Sequence, residues 1–209
     1  MRSGEKAARC IVPPNPANYL ASDGLGYDPE RARKLLGEAG FPGGNGFPAF
    51  AYLYNTSEQH KQVAVELQQM WQTELGIKME LRQTEWKVYL ADQASVNFDI
   101  SRSSWVADYN DPNTFLDMFM SDNGNNRTNW KNPAYDGILR RANATQNLVA
   151  RAELMRDAER LLVEKETPII PLFYYVGIVF FNPEKIEGVD LNALDEHPLN
   201  SVRRKRRGG

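Results

Sequence analysis

Between Phe50 and Val106 the hydrophobic pattern switches repeatedly between a period of two and a period near 3.6, and that succession constrains the fold more than any other feature. Phe50-Ala51-Tyr52-Leu53-Tyr54 is a β-prone run bounded by Asn55 and Thr56. Thr56 and Gln59 have capping-box spacing, Val63, Leu67, Met70, Trp71 and Leu75 recur at helical intervals, and Gly76 stops the run. Strict alternation follows, with Ile77, Met79 and Leu81 on one side and Lys78, Glu80 and Arg82 on the other, as in a half-buried strand. A helix over about Glu85 to Ser95, with Trp86, Tyr89 and Leu90 as its face, leads to a third strand over Phe98 to Val106. Strand, helix, strand, helix, strand predicts an α/β layer whose crossovers return to a parallel sheet.

The flanks are less regular. Residues 1–27 hold Pro13, Pro14 and Pro16 and no period, and are expected to be an irregular lead-in. Asp28-Pro29-Glu30 opens a helix with Leu35, Leu36 and Ala39 on one face and Gly40 as its stop. Asp111-Pro112 opens a short helix through Phe115, Leu116 and Phe119, Asn132-Pro133 opens another, and Leu148 to Lys165 reads as a longer one. Ile169 to Val176 and Ile178 to Phe181 are β-prone, and the chain is turn-rich from Asn182 onward.

With 209 residues, 42% of them apolar, the chain can bury a core without a disulfide, which its single Cys10 could not form internally in any case. No apolar run approaches membrane-spanning length, and the charged opening Met1 to Cys10 has no apolar segment behind it, so no secretory signal is expected. The net charge of −2 includes five positive charges at Arg203, Arg204, Lys205, Arg206 and Arg207, which leaves the rest at −7. An acidic body offers no broad basic face for nucleic acid, and the tail is expected to be a solvated, flexible end.

Catalytic motifs are missing. There is no phosphate-binding loop, no nucleophile elbow, no HExxH and no paired CxxC. With two histidines, His60 and His197, a histidine-rich metal site is excluded, and neither a metal nor a cofactor is expected. The residue that stands out is Asp108, within Ser101-Arg102-Ser103-Ser104-Trp105-Val106-Ala107-Asp108-Tyr109-Asn110-Asp111-Pro112. A carboxylate just past the end of a strand sits where open α/β sheets place ligands. The plain alternative is a turn or capping aspartate, but Asp111, directly before Pro112, is the better cap.

At this point the chain resembles a known family, the extracytoplasmic solute-binding proteins of peptide ABC transporters, of the oligopeptide- and dipeptide-binding type. The likeness runs from about Pro13 to Asn182. It is carried by Tyr27 to Leu36 with Ala39-Gly40-Phe41, by Tyr54-Asn55-Thr56-Ser57 leading into His60-Lys61, and by Glu85-Trp86-Lys87. Trp105 to Pro112, Asn125-Asn126, Asn132 to Asp136 and Ile170 to Tyr175 follow in the family's order. The resemblance implies one lobe of a type II periplasmic-binding (Venus-flytrap) fold, a mixed sheet flanked by helices. It implies a binder rather than an enzyme, one that takes a short peptide between two lobes as an added β-strand.

In that picture Asp108 matches the carboxylate that pairs with the peptide's α-ammonium, and backbone groups from Arg102 to Val106 meet the peptide main chain. Arg102 and His60 match positions that can meet its C-terminal carboxylate, Tyr175 matches a tyrosine touching the ligand backbone, and Trp86 and Trp105 match pocket-lining residues. Each has a plainer reading: a solvated strand residue for Arg102, a surface histidine for His60, core packing for Trp86, Trp105 and Tyr175. Family members are more than twice as long, so residues 1–176 are expected to be the C-terminal lobe and 177–209 a segment returning to a first lobe missing from this chain, which reads as a truncated form. The expected partners are a short peptide and, for the full-length protein in its periplasmic or extracytoplasmic compartment, a membrane ABC permease. The apolar run Ile178 to Phe181, lacking its neighbours, invites self-association. A lobe on its own is expected to bind peptide far more weakly than micromolar. Another solute on the same fold (a nickel or haem complex, or a sugar) and, further off, a hydrolase are the alternative readings.

Overall fold

The structure is a computed structural model, and it describes residues 4–14, 16–189, 192, 194, 196 and 198–205. His197, Arg206 and Arg207 lie outside the described residues. In chain order the regular elements are β1 (Lys6–Ala7), α1 (Pro29–Glu38), β2 (Phe50–Asn55), α2 (Glu58–Leu75), β3 (Met79–Thr84), α3 (Trp86–Ala94), β4 (Ile100–Ser101), α4 (Asn113–Leu116), α5 (Pro133–Ala144), α6 (Leu148–Arg160), β5 (Phe173–Tyr174), β6 (Ile186–Glu187) and β7 (Arg203–Arg204). They fall into two compact units: residues 26–104 with 127–129, and residues 1–25, 105–126 and 130–209 as far as these are described. Residues 177–189 group with the second of these.

The unit of residues 26–104 is the expected α/β layer. Its sheet has the order β3-β2-β4, and both pairings are parallel. Phe50 pairs with Met79 and Asn55 with Thr84, and the Thr56 amide continues the ladder to the Thr84 carbonyl at 2.9 Å. β2 is central, so Tyr52, Leu53, Tyr54 and Asn55 are all buried, whichever face they point to. Tyr52, Tyr54, Ala64 and Met79 form the core, with Phe50, Leu67, Trp71 and Leu81 packed on it. The Gly/Pro-rich loop before β2 is seated by a run of rings, Phe41 on Phe47, Phe47 on Phe50 and Phe50 on Trp71, with centroids 5.1, 6.3 and 5.4 Å apart.

Several local expectations are corrected here. Ser57, not Thr56, caps α2, its hydroxyl accepting from the His60 amide, because Thr56 is still engaged by the ladder and by Thr84, whose carbonyl takes its hydroxyl too. The third strand, expected to run from Phe98 to Val106, shrinks to Ile100–Ser101, with one more ladder-like bond from the Arg102 amide to the Leu53 carbonyl. β2 ends at Asn55, which in the parallel register of Leu53 with Ser101 lies level with Ser103, so residues from Ser104 onward have no partner strand. The apolar faces expected on α1 and α3 are only partly covered: Leu35 is 52% exposed, Trp86 50% and Leu90 44%, while Tyr89 is buried. Gly76 does stop α2, with φ of 69°, and a Cβ there would stand 2.3 Å from the Gly43 carbonyl oxygen.

The other unit has strands of two residues and draws its stability from helices. α5 and α6 pack against each other and bury Tyr135, Leu139, Ala142, Met155 and Ala158 with Phe115 and Leu116. Asn132 and Asn147 cap them, each side-chain oxygen accepting two amides. The expected helix over Leu148 to Lys165 changes winding at Leu161, where a wider turn through Glu166 puts both Leu162 and Val163 in the core. The lead-in proves irregular but packed. β1 pairs antiparallel with β5, Cys10 and Val12 are buried, and the Glu159 carboxylate, fully buried on α6, accepts from the Val12 amide at 2.9 Å, the Ser22 amide at 2.8 Å and the Tyr19 hydroxyl at 3.2 Å. One carboxylate thus satisfies backbone that no periodic element pairs.

The β-prone end gives only β5. Ile178 to Phe181 is not a strand, for want of a neighbour to pair with, and Phe180 is 92% exposed. The basic tail also departs from a free end in its described part, because Arg203 and Arg204 pair antiparallel with Glu187 and Ile186. Among the described residues no helix is long and apolar enough to cross a membrane.

Candidate ligand-binding site

The sequence-predicted residues fall into two groups, one on each unit: His60, Trp86 and Arg102 on residues 26–104, and Trp105, Val106, Asp108 and Tyr175 on the other.

In the first unit the C-terminal ends of β2 and β4 place Asn55 and Arg102 beside the N-terminus of α2, where His60 sits in the first turn. His60 Nδ1 lies 2.9 Å from Asn55 Oδ1. With a carbonyl oxygen facing it, Nδ1 carries the proton, and Nε2 of the neutral ring keeps a lone pair. Burial and then the nearby Arg102 charge hold the imidazole below the usual histidine range, with hydrogen bonding at Asn55 opposing them. His60 is therefore neutral at neutral pH, and the fixed cation of the pair is Arg102, whose Nη2 donates to Ser104 Oγ at 2.7 Å. The pair suits an anionic group.

The Arg102 main chain is already committed. Its amide goes to Leu53, and its carbonyl accepts from the Tyr89 hydroxyl and from Gln93 Nε2 at 3.0 Å. A ligand strand cannot use this residue, which corrects the expectation that backbone pairing begins at Arg102. Among the described residues, the backbone of Ser103 to Val106 makes no hydrogen bond. Trp86 stacks on Tyr89 with centroids 5.5 Å apart and stays half-exposed, so core packing does not account for it.

In the second unit Trp105 packs against the hydrophobic core, while its indole N–H is buried without a hydrogen-bond partner among the described residues. Val106 is exposed, Ala107 is buried, and Asp108 is exposed again. The Asp108 amide donates to the Thr114 hydroxyl at 3.0 Å, and its carboxylate takes part in no ion pair among the described residues. Its charge is felt by Asp117, whose carboxyl is pushed up first by burial and also by Asp108, against a hydrogen bond from Tyr109. Asp111 caps as expected, accepting the Asn113 amide at 2.9 Å, but it also takes the Arg151 guanidinium on both oxygens at 2.7 and 2.9 Å. Tyr175 is half-exposed, with its ring edge-on to Phe173 at 5.0 Å.

Sequence reasoning missed Asn55, Tyr89, Thr114 and Arg151. Asn55 was read as a strand boundary, and Arg151 lies 40 residues from Asp111, with no local signal to join them. No group of three or more metal-ligating side chains occurs among the described residues.

A family model described as bacterial extracellular solute-binding proteins, family 5, middle region, matches residues 1–127. The chain belongs to this family. The periplasmic oligopeptide-binding protein OppA of Salmonella typhimurium is 38% identical over 154 residues, covering 74% of this chain and 28% of the relative. The periplasmic murein peptide-binding protein MppA of Escherichia coli is 35% identical over 203 residues, covering 93% of this chain and 37% of its own length. Among solved structures, Haemophilus influenzae OppA in complex with RPPGFSPFR superposes with a TM-score of 0.80 at 30% identity, over 97% of this chain and 41% of that one. The chain thus spans about a third of the length of the curated relatives it matches. Its mixed α/β architecture is part of the type II periplasmic-binding fold, as expected of a family 5 solute-binding protein.

Proposed function

We propose that this chain is the ligand-holding lobe of a peptide-binding component of an ABC importer, working outside the cytoplasm with a membrane permease and carrying out no chemistry of its own. In this reading residues 1–176 are the C-terminal lobe and 177–209 return toward a partner lobe. Asp108 receives the α-ammonium of a short peptide, Ser103 to Val106 pair with its main chain, and Arg102 with His60 faces its carboxylate. Trp86, Trp105 and Tyr175 line the side-chain and backbone path. The observation that carries the reading is the exposed Asp108 carboxylate, without an ion-pair partner among the described residues, at the end of a backbone stretch with no internal hydrogen bonds. A desolvated ammonium needs such a partner, and a charge-assisted hydrogen bond contributes about 1.5 to 3 kcal/mol. The relatives named for oligopeptide and murein-peptide binding support the same ligand class.

Titration calorimetry with trialanine and N-acetyl-trialanine tests the reading. The free peptide is expected to bind at least about tenfold more tightly, and Asp108→Ala to erase that preference. Equal binding of the two peptides to the wild type overturns the role of Asp108.

A further inference from the structure

The loop from Asp108 to Pro112 is exposed over Asp108, Tyr109 and Asn110, where the Tyr109 ring is 42% exposed, and only Pro112 is buried. Burial alone does not fix it. It is nonetheless tied down on both sides of the Asp108 carboxylate, which has no ion-pair partner among the described residues. At its start the Asp108 amide donates to Thr114 Oγ1 at 3.0 Å, and Thr114 is 1% exposed, so its hydroxyl is anchored by the core. In the middle, Asn110 Oδ1 accepts the Ala17 amide at 3.1 Å. At its end Asp111 takes both arms of Arg151 from α6, with side chains only 24% and 22% exposed. Burial would raise the Asp111 carboxyl, but the Arg151 fork and the Asn113 amide bring it net below the usual carboxylate range, so the pair stays charged.

We infer that Thr114 and Arg151 are positioning residues for ligand capture: they fix the backbone on either side of Asp108 and leave its carboxylate aimed outward. The inference rests on the reading of Asp108 as the ammonium acceptor. A fixed loop spares the ligand the entropy of ordering it. The bidentate fork also commits the Arg151 cation to Asp111, so that it does not compete with a ligand ammonium.

The test follows the 15N-labelled chain by NMR while trialanine or N-acetyl-trialanine is added, in the wild type, Thr114→Val and Arg151→Lys. Thr114→Val keeps the buried shape and removes the acceptor of the Asp108 amide. Its expected result is faster hydrogen exchange at that amide and a free-to-acetylated affinity ratio reduced about fivefold, the equivalent of one hydrogen bond. Arg151→Lys keeps the charge but loses the fork, and a smaller fall in the same ratio is expected. A role in stability alone would weaken both peptides equally and leave the ratio unmoved. A folded Thr114→Val chain with an undiminished ratio overturns the inference while leaving Asp108 as acceptor. A wild-type ratio of one overturns the Asp108 reading and the inference with it.

Discussion

Residues 26–104 are organised by repetition: β2 pairs with β3 over six consecutive positions, from Phe50 with Met79 to Asn55 with Thr84, and α2 packs against both strands. Among its described residues the other unit has no strand longer than two, and much of its chain is held by single polar groups acting over long sequence separations. Glu159 holds Val12, Tyr19 and Ser22, and Arg151 holds Asp111. A ladder spreads its stabilisation over many similar bonds, whereas a buried carboxylate concentrates it, so the two units should differ in how much one substitution costs. In the proposed reading, the Arg151 contact also sets the loop that carries Asp108.

The largest expected effect is Glu159→Ala, which strands two amides and a hydroxyl in a closed core. Urea unfolding should show a loss of about 3 kcal/mol or more. A loss under about 1 kcal/mol would break the contrast, since it would mean that the lead-in is held by its other contacts. In the ladder unit, Gly76→Ala places a Cβ against the Gly43 carbonyl at a positive φ and should cost about 1 to 2 kcal/mol.

Acid sharpens the comparison, because the two carboxylates respond with opposite sign. Burial, only partly offset by its hydrogen bonds, raises the Glu159 pKa, so its ionisation disfavours the fold. The associated stability is full below the ordinary glutamate range and lost as the pH rises through the higher folded value. Asp111 is lowered, so its contribution is full above the ordinary aspartate range and lost as the pH falls through the lower folded value. Thermal melts from pH 3 to pH 7 should therefore show Glu159→Gln losing most relative to wild type at the acid end and Asp111→Asn losing most at neutral pH; parallel curves would refute the assignment. The smallest effect expected is Phe180→Asp. It should leave unfolding within about 0.5 kcal/mol of wild type and abolish the self-association we propose for the exposed run at 178–181, as measured by sedimentation velocity.

The alternation of Ile77, Met79 and Leu81 and the helical spacing of Val63 to Leu75 needed no tertiary information, because buried faces leave their period in the sequence. The expected third strand is longer than the observed one because apolar residues such as Val106 suggest a strand beyond the point, level with Ser103, where β2 ends. At the candidate site, Asp108 stands out by its place just past the end of a strand, whereas Arg102 enters only through the family resemblance. Asn55 as the partner of His60 was hidden, since it follows from where β2 ends and α2 begins. Thr114 under the Asp108 amide was hidden for a different reason, being an ordinary helix residue until the loop folds back on it.

By itself the sequence determined the succession of strands and helices from Phe50 to Ser101, the stops at Gly40 and Gly76, the caps at Asp28, Asn132 and Asp111, and the family to which they belong. These are local or periodic properties, set by backbone preference and by which face is buried. The tertiary structure alone decided that Arg102 spends its backbone inside the fold, that Glu159 holds the lead-in, and that Arg151 reaches Asp111. Each of these joins groups far apart in the chain, and a hydrogen bond or charge pair across such a distance leaves no period to be read.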